Sequence, residues 1–264
     1  KNFNILFGSK PRDPEKDEIT QFHMDLAASI QEITNEVMIK IAKNLRKEFD
    51  IPNLCLAGGV ALNCVTNGKI IEENIFENIW IQPAAGDAGG SIGASLALWH
   101  NEFKNDRLET NEDNMNGSYL GPKFNDKEIE FQLSEAKAIF NKYTEDEIIE
   151  LTSDALLKGK AIGWFQGRSE FGPRALGARS ILGDPRNENM QKNLNLKIKF
   201  RESFRPFAPS ILKEKVSQWF ELKKESPYML VVSKILENKK IKNENINNIF
   251  GIDRLNLKRS SVLL

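Results

Sequence analysis

The sequence predicts an α/β fold, and three observations predict it. Short apolar segments run into glycines twice, as "NLCLAGG" at 53–59 and as "NIWIQPAAGDAGG" at 78–90, and helix-forming sequence follows each. Strand, glycine turn and helix in succession is an α/β signal, and such sheets hold ligands beyond the carboxyl ends of their strands. The third observation is the stretch 17–48. It carries Ile19, Phe22, Leu26, Ile30, Ile33, Val37, Ile41 and Leu45 at three- and four-residue spacing, which predicts one long helix with a single buried stripe.

The remaining elements follow in order. After the Gly-Gly turn, "VALNCVTNGKIIEE" reads as a helix, "NIWIQP" as a second strand closed by Pro83, and "AAGDAGGSIGASLALWH" as a small-residue loop passing into a helix. The polar, asparagine-rich run 101–118 reads as a linker. Beyond it come a helix around Asp146 to Lys158, a strand "AIGWFQ", a short strand "SIL" and a helix beginning near Asn187. A strand at "FAPSIL", a helix ending in "QWF" and a strand "YMLVVSKI" complete the reading, with "ENKKIKNENINN" as a surface loop. Lys1 in place of Met, and a terminal "SSVLL" that reads as the start of a strand, lead to the expectation of a fragment of something longer.

Composition narrows the function. The 264 residues carry 37 basic and 37 acidic side chains, a formal net charge of zero, which opposes a general nucleic-acid or membrane-surface binder. Two cysteines, Cys55 and Cys64, give neither a disulfide framework nor a CxxC zinc motif, so a reduced, cytoplasmic setting is the default. No apolar run reaches the length of a membrane span, roughly 18 residues.

Three motifs could carry chemistry. In "LAGGVALN", Gly58 and Gly59 either let a ligand approach the backbone at a helix start or simply make a tight turn. In "PAAGDAGGSIGA", Asp87 is a lone carboxylate among small residues, suited to a metal bridging nucleotide phosphates or to a helix N-cap. The two turns end successive strands and so could face one nucleotide. The third motif is "GRSEFGPRALGARSILGDPR", 167–186, with its sequel "KFRESFRPFAPS". Gly172-Pro173 and Asp184-Pro185 exclude one continuous helix, so Arg168, Arg174, Arg179 and Arg186 sit on a glycine-shaped loop. Eleven Lys/Arg stand against five Asp/Glu between Leu151 and Arg205. Surface pairing with Glu170, Asp184 and Glu202 cannot neutralise that excess, which favours an anion pocket. His23 and His100 have no partner at i+3 or i+4, and read as structural.

Together "LAGGVALNCVTNGKI", "WIQPAAGDAGGSIGASLA", "WFQGRSEFGPRALGARSILGDPR" and "KFRESFRPFAPS" resemble the O-carbamoyltransferases of nodulation-factor and antibiotic biosynthesis, in that family's order, from about Phe22 to Leu230. The resemblance implies the C-terminal part of an actin-like ATPase-fold domain over 1–105, a linker at 106–118, and an incomplete YrdC-like α/β domain over 119–264. It implies that the YrdC-like domain makes carbamoyl adenylate from carbamoyl phosphate and ATP. The actin-like domain, with a divalent metal (iron in the family), then passes the carbamoyl group to a hydroxyl on a small molecule or glycan. By the same resemblance Asp87 is a metal ligand, while Gly58, Gly59, Val60, Asn63, Gly86 and Gly89 line the nucleotide. Arg168, Arg174 and Arg179 face the phosphates, supported by Lys199, Arg201 and Arg205.

The departures are specific. The family's HxxxH metal pair is absent, and its later HVD-type and Asn-Thr-Ser-Phe-Asn-type motifs would follow Leu264. A chain without them is not expected to complete the reaction. Two other readings remain, a kinase of the actin-like superfamily and a non-catalytic subunit that binds nucleotide or RNA. The arginine loop counts against the first, and the neutral charge counts against RNA.

Overall fold

A computed structural model of the chain describes residues 2–107, 112–222, 225–241, 249, 251–255 and 257. Helix α1 (Asn2–Phe7) precedes the long α2 (Gln21–Phe49), then β1 (Asn53–Leu56), a 3₁₀ turn at Gly59–Leu62, α3 (Cys64–Glu72), β2 (Asn78–Ile81) and α4 (Asp87–Ala97). The second part holds α5 (Asp126–Glu135), α6 (Glu145–Leu157), β3 (Ile162–Phe165), β4 (Arg179–Leu182), α7 (Met190–Asn193) and α8 (Gly251–Leu255). The architecture is mixed α/β.

β1 and β2 are parallel, with Leu54 opposite Ile79 and Leu56 opposite Ile81. Parallel strands need a crossover, and α3 supplies it. Ile70 of α3 packs with Ala42 of α2, Leu54 and Phe76, and Met38, Ile39 and Ile79 border that cluster. β3 and β4 instead form an antiparallel pair, Ile162 opposite Leu182 and Phe165 opposite Arg179. The long arginine loop joins them.

α2 shows how its own chemistry sets its ends. The Nδ1 atom of His23 accepts from the Thr20 N–H at 3.0 Å, fixing the first turn. Arg46 and Lys47 complement the dipole in the last turn, and Asp50 closes the helix in the left-handed region at φ 52°. The expected buried stripe, however, faces outward. Ile30, Ile33 and Val37 are 63, 56 and 47% exposed, and Phe22, Ile41 and Leu45 are exposed as well. The covered side carries Asn35 and Ala42, with Gln31 and Met38 beside them.

The reason is a polar network that the seam with α3 satisfies. Gln31 Nε2 donates to Asn35 Oδ1 at 2.9 Å and to Thr66 Oγ1 at 3.0 Å, while Thr66 Oγ1 donates to Asn35 Oδ1 at 2.8 Å. Buried amides with partners cost little, so they do not oppose burial of this face. The chain exposes 19752 Å², where a compact protein of 30.0 kDa exposes about 11,700 Å². The outer stripe of α2 belongs to that excess.

Other expectations shift for local reasons. The helix expected from Asn187 begins at Met190 and continues as a π-helical turn, Leu194–Ile198, and the one ending in "QWF" is a 3₁₀ turn, Lys213–Gln218. "FAPSIL" and "YMLVVSKI" form no strands. The second lies along α3, where Val232 N–H donates to Cys64 O at 3.1 Å, and its one ladder contact among the described residues is a bridge between Ile235 and Phe220. The polar run before residue 119 is packed at its end, since Met115 clusters with Tyr228 and Leu230, and Ser118 is buried. α5 was not anticipated, although Asn125 and Glu128 form a capping box at its start. The terminal "SSVLL" and residues 242–248 of the Lys/Asn-rich loop lie outside the described residues.

Candidate active site

The two glycine turns meet at the carboxyl ends of β1 and β2. Gly58 N–H donates to Ala85 O at 2.8 Å, tying one turn to the other. Between them lies an open depression of about 580 Å³, lined by Gly58, Gly59, Gly86, Asp87, Gly89, Gly90 and Gly93, with Trp80 and Leu96 at its sides. Trp80 carries a signal the glycine motifs overshadow, because β2 alternates and turns Trp80 away from the half-buried Ile79 and Ile81.

The glycines divide by what a side chain would meet. A Cβ on Gly89 would lie 2.1 Å from Ala84 O, so packing alone demands glycine there. A Cβ on Gly59, Gly90 or Gly93 would meet no atom within 4 Å. Each glycine inside a helix costs roughly 1 kcal/mol against alanine. Neither packing nor backbone conformation requires Gly90 and Gly93 in α4, so the room they leave is suited to a ligand.

Two expected members of this site lie elsewhere. Val60 is exposed in the 3₁₀ turn and does not line the depression. Asn63 caps α3, its Oδ1 accepting from Thr66 N–H at 3.1 Å, and its Nδ2 donates to Gln31 Oε1 at 3.0 Å. Asp87 lines the depression and is the first residue of α4, where its charge complements the helix dipole. It is a single exposed donor. No group of three or more His, Cys, Asp or Glu side chains converges among the described residues, so Asp87 has no two further carboxylate, imidazole or thiol groups beside it there.

The arginines of the β3–β4 loop sit on neutral partners. Arg168 donates to Gly121 O at 3.0 Å. Arg179 donates to Gln166 O at 2.7 Å, Ala178 O at 2.9 Å and Gly167 O at 3.2 Å, and its guanidinium lies 3.4 Å from the centre of the exposed Phe165 ring. Arg174 reaches out of the loop to Leu62 O at 3.2 Å, and its buried Nε has no hydrogen-bond partner. Among the described residues Arg186 alone of the four is ion-paired, to Asp184 at 2.7 Å. Hydrogen bonds from Arg186, from its side chain first, hold the Asp184 carboxyl below its ordinary value. Lys199, Arg201 and Arg205 are held separately. Arg205 pairs with Glu202 at 3.0 Å, Arg201 donates to Asn195 Oδ1 at 2.6 Å, and Lys199 is exposed.

Glu170, one of the three acids considered as surface partners of the arginines, turns to the backbone. Its Oε1 accepts from the N–H groups of Leu176, Ala178 and Arg179. The loop also touches the glycine turns. A Cβ on Gly172 would lie 3.3 Å from that of Ala84 and 3.4 Å from Pro83 O, and Gly172 has φ 123°. The glycine-lined turns and the arginine-bearing loop therefore abut. His23 and His100 take no part, the latter placing Nδ1 2.9 Å from Asn105 O within a turn.

This fold and site define an α/β protein with adjoining glycine-lined and arginine-bearing loops. Comparison with known proteins gives the family. The description "Carbamoyltransferase N-terminus" matches residues 1–96 and "Carbamoyltransferase C-terminus" matches residues 153–256, together more than half of the chain. The chain belongs to the carbamoyltransferase family. It is 51% identical to a protein of Synechocystis sp. over 99% of this chain and 43% of that one. It is 41% identical to nodulation protein NolO of Bradyrhizobium diazoefficiens, over 83% of this chain and 40% of NolO. It is 38% identical to nodulation protein NolNO of Sinorhizobium fredii, over 89% of this chain and 35% of NolNO. The chain thus spans less than half the length of these relatives. No helix among the described residues is long and apolar enough to cross a membrane.

Proposed function

We propose that this chain is part of an ATP-dependent O-carbamoyltransferase acting in the cytoplasm. In this reading residues 1–105 are the C-terminal part of an actin-like, nucleotide-binding transferase domain. Residues 106–118 connect it to a YrdC-like domain, 119–264, that forms carbamoyl adenylate. The observation that carries the reading is the guanidinium charge of Arg168, Arg174 and Arg179, balanced by no ion pair among the described residues. It sits in a loop packed on the glycine turns.

The chemistry uses that charge. Loss of phosphate from carbamoyl phosphate, with uptake of water, leaves carbamate, whose oxygen attacks the α-phosphorus of ATP as pyrophosphate departs. An acceptor hydroxyl on a small molecule or glycan then attacks the carbonyl carbon, and AMP leaves. Bringing two phosphorylated reactants together is opposed by their mutual repulsion. Preorganised guanidinium groups offset it and bind oxygen atoms in pairs. Lys199, Arg201 and Arg205 would add longer-range positive charge. Gly58, Gly59 and the start of α4 give the nucleotide main-chain approach. A divalent cation, iron by family resemblance, would draw Asp87 alone from the described residues, and no step above depends on it.

The test follows the nucleotide products of the full-length protein supplied with ATP and carbamoyl phosphate. AMP and pyrophosphate forming only with carbamoyl phosphate, and lost in Arg168→Ala, is the expected result. ADP would replace the reading with a kinase.

A further inference from the structure

The β3–β4 loop closes on one carboxylate oxygen. Oε1 of Glu170 accepts from Leu176 N–H at 2.6 Å, Ala178 N–H at 2.8 Å and Arg179 N–H at 3.3 Å. These donors lie six, eight and nine residues further along the chain, so the side chain gathers the whole segment 170–179 into a ring. Within the ring Gly172 and Gly177 take φ values of 123° and 104°, conformations that glycine adopts without strain and that let the chain turn back on Glu170. Outside it, Tyr119 Oη donates to Leu176 O at 2.6 Å, and Gly177 N–H donates to Ser180 Oγ at 3.0 Å.

A nest of main-chain N–H groups normally receives an anion from outside. Here the chain fills the nest with its own anion. Partial burial pushes the Glu170 carboxyl up, but the N–H donors of Leu176, Ala178, Glu170 itself and Arg179 outweigh it and hold the group below its ordinary value. The carboxylate is therefore committed to the backbone rather than to a guanidinium. The same ring carries Arg174 midway round and Arg179 at its closing bond.

We infer that Glu170 is the positioning residue of the arginine loop: it fixes where Arg174 and Arg179 leave the backbone while leaving their charge for an anionic phosphate ligand. This rests on the reading of the loop as an anion site. A hydrogen bond to an ionised acceptor is roughly twice as strong as one to a neutral acceptor. The ring thus needs the charge of Glu170, not only its shape.

Glu170→Gln separates this role from its opposite. Were Glu170 simply a negative charge near the site, removing that charge would tighten anion binding. As the group that holds the ring, its loss loosens the loop and weakens binding. Carbamoyl phosphate is titrated calorimetrically into the full-length protein, as wild type, Glu170→Gln, Glu170→Asp and Arg179→Ala, with thermal midpoints measured alongside. The expected result is about tenfold or weaker binding in Glu170→Gln and partial recovery in Glu170→Asp. In turnover, KM for carbamoyl phosphate rises while kcat changes less.

Unchanged or tighter binding in Glu170→Gln, with binding lost in Arg179→Ala, overturns the role of Glu170 and leaves the anion site standing. Full binding in Arg179→Ala overturns the anion site itself. Should Glu170→Gln fail to fold, the folded Glu170→Asp variant decides. Weaker binding with an unchanged thermal midpoint supports positioning, and wild-type binding overturns it.

Discussion

The turns after β1 and β2 make room by omission, while the loop between β3 and β4 makes a charged surface by restraint. In the first, Gly59, Gly90 and Gly93 leave space that no protein atom occupies. In the second, almost every polar group is engaged. Arg179 meets three carbonyls and a phenyl ring, and Glu170 gathers three N–H groups. One region accepts added atoms at Gly59, Gly90 and Gly93, though not at Gly89, without touching other protein atoms. The other is set by its own bonds and fails as soon as one is removed. Binding capacity can thus be left as a void or held as oriented charge, and the two respond to mutation in opposite ways.

The largest expected effect breaks the charged side. Arg179→Ala should lower carbamoyl-phosphate-dependent AMP formation by about 10²-fold or more, the scale of losing a preorganised charge donor. A fall smaller than threefold would show that the loop's charge is not used. Next is the seam between α3 and segment 228–235, which lies outside both regions. A Cβ at position 68 would lie 2.4 Å from Val232 O, so Gly68→Ala should cost ~1–3 kcal/mol in denaturant unfolding.

The void makes the sharper comparison. Gly93→Ala should stabilise the chain by ~0.5–1 kcal/mol through helix propensity. The same substitution should weaken nucleotide binding by on the order of tenfold, the loss of one close approach. Greater stability with undiminished binding would mean that the space holds no ligand.

The smallest effect is electrostatic and appears only in acid. The folded Glu170 carboxyl lies below its ordinary value of 4.5. Its contribution to stability is therefore complete above that value and is lost as pH falls through the lower folded one. Thermal midpoints of wild type should drop more steeply below about pH 4.5 than those of Glu170→Gln, and coincident acid limbs would contradict the ring of N–H donors.

Legibility in the sequence followed how local each cause was. β1, β2, α3 and the start of α4 are readable because glycine, proline and short apolar runs act within a few residues. The long α2 was readable as a helix, but its covered face was not. Gln31 and Asn35 look like solvated side chains until Thr66 and Asn63, some thirty residues away, supply their partners. The apolar stripe of Ile30, Ile33 and Val37 gives the periodicity and remains outside. Segment 228–235 has strand-like composition, yet its Val232 N–H is claimed by α3 and its Tyr228 and Leu230 side chains pack with Met115, leaving a single bridge at Ile235 among the described residues. In the candidate site the two glycine turns meet, as their places at successive strand ends imply, whereas the partners of individual side chains depend on contacts across the chain. Asn63 caps α3, and Glu170 accepts from the backbone.

The contact from Arg174 to Leu62 has a consequence for genetics. Its acceptor is a main-chain carbonyl, as are the acceptors when Asn67 Nδ2 donates to Leu230 O and Val232 N–H donates to Cys64 O. No substitution at the accepting position deletes a carbonyl oxygen, so each of these contacts can be broken by side-chain replacement from one side at most. A search for compensating mutations should return position 174 without a partner at 62. Paired variation between the two halves should be silent there, although the halves touch.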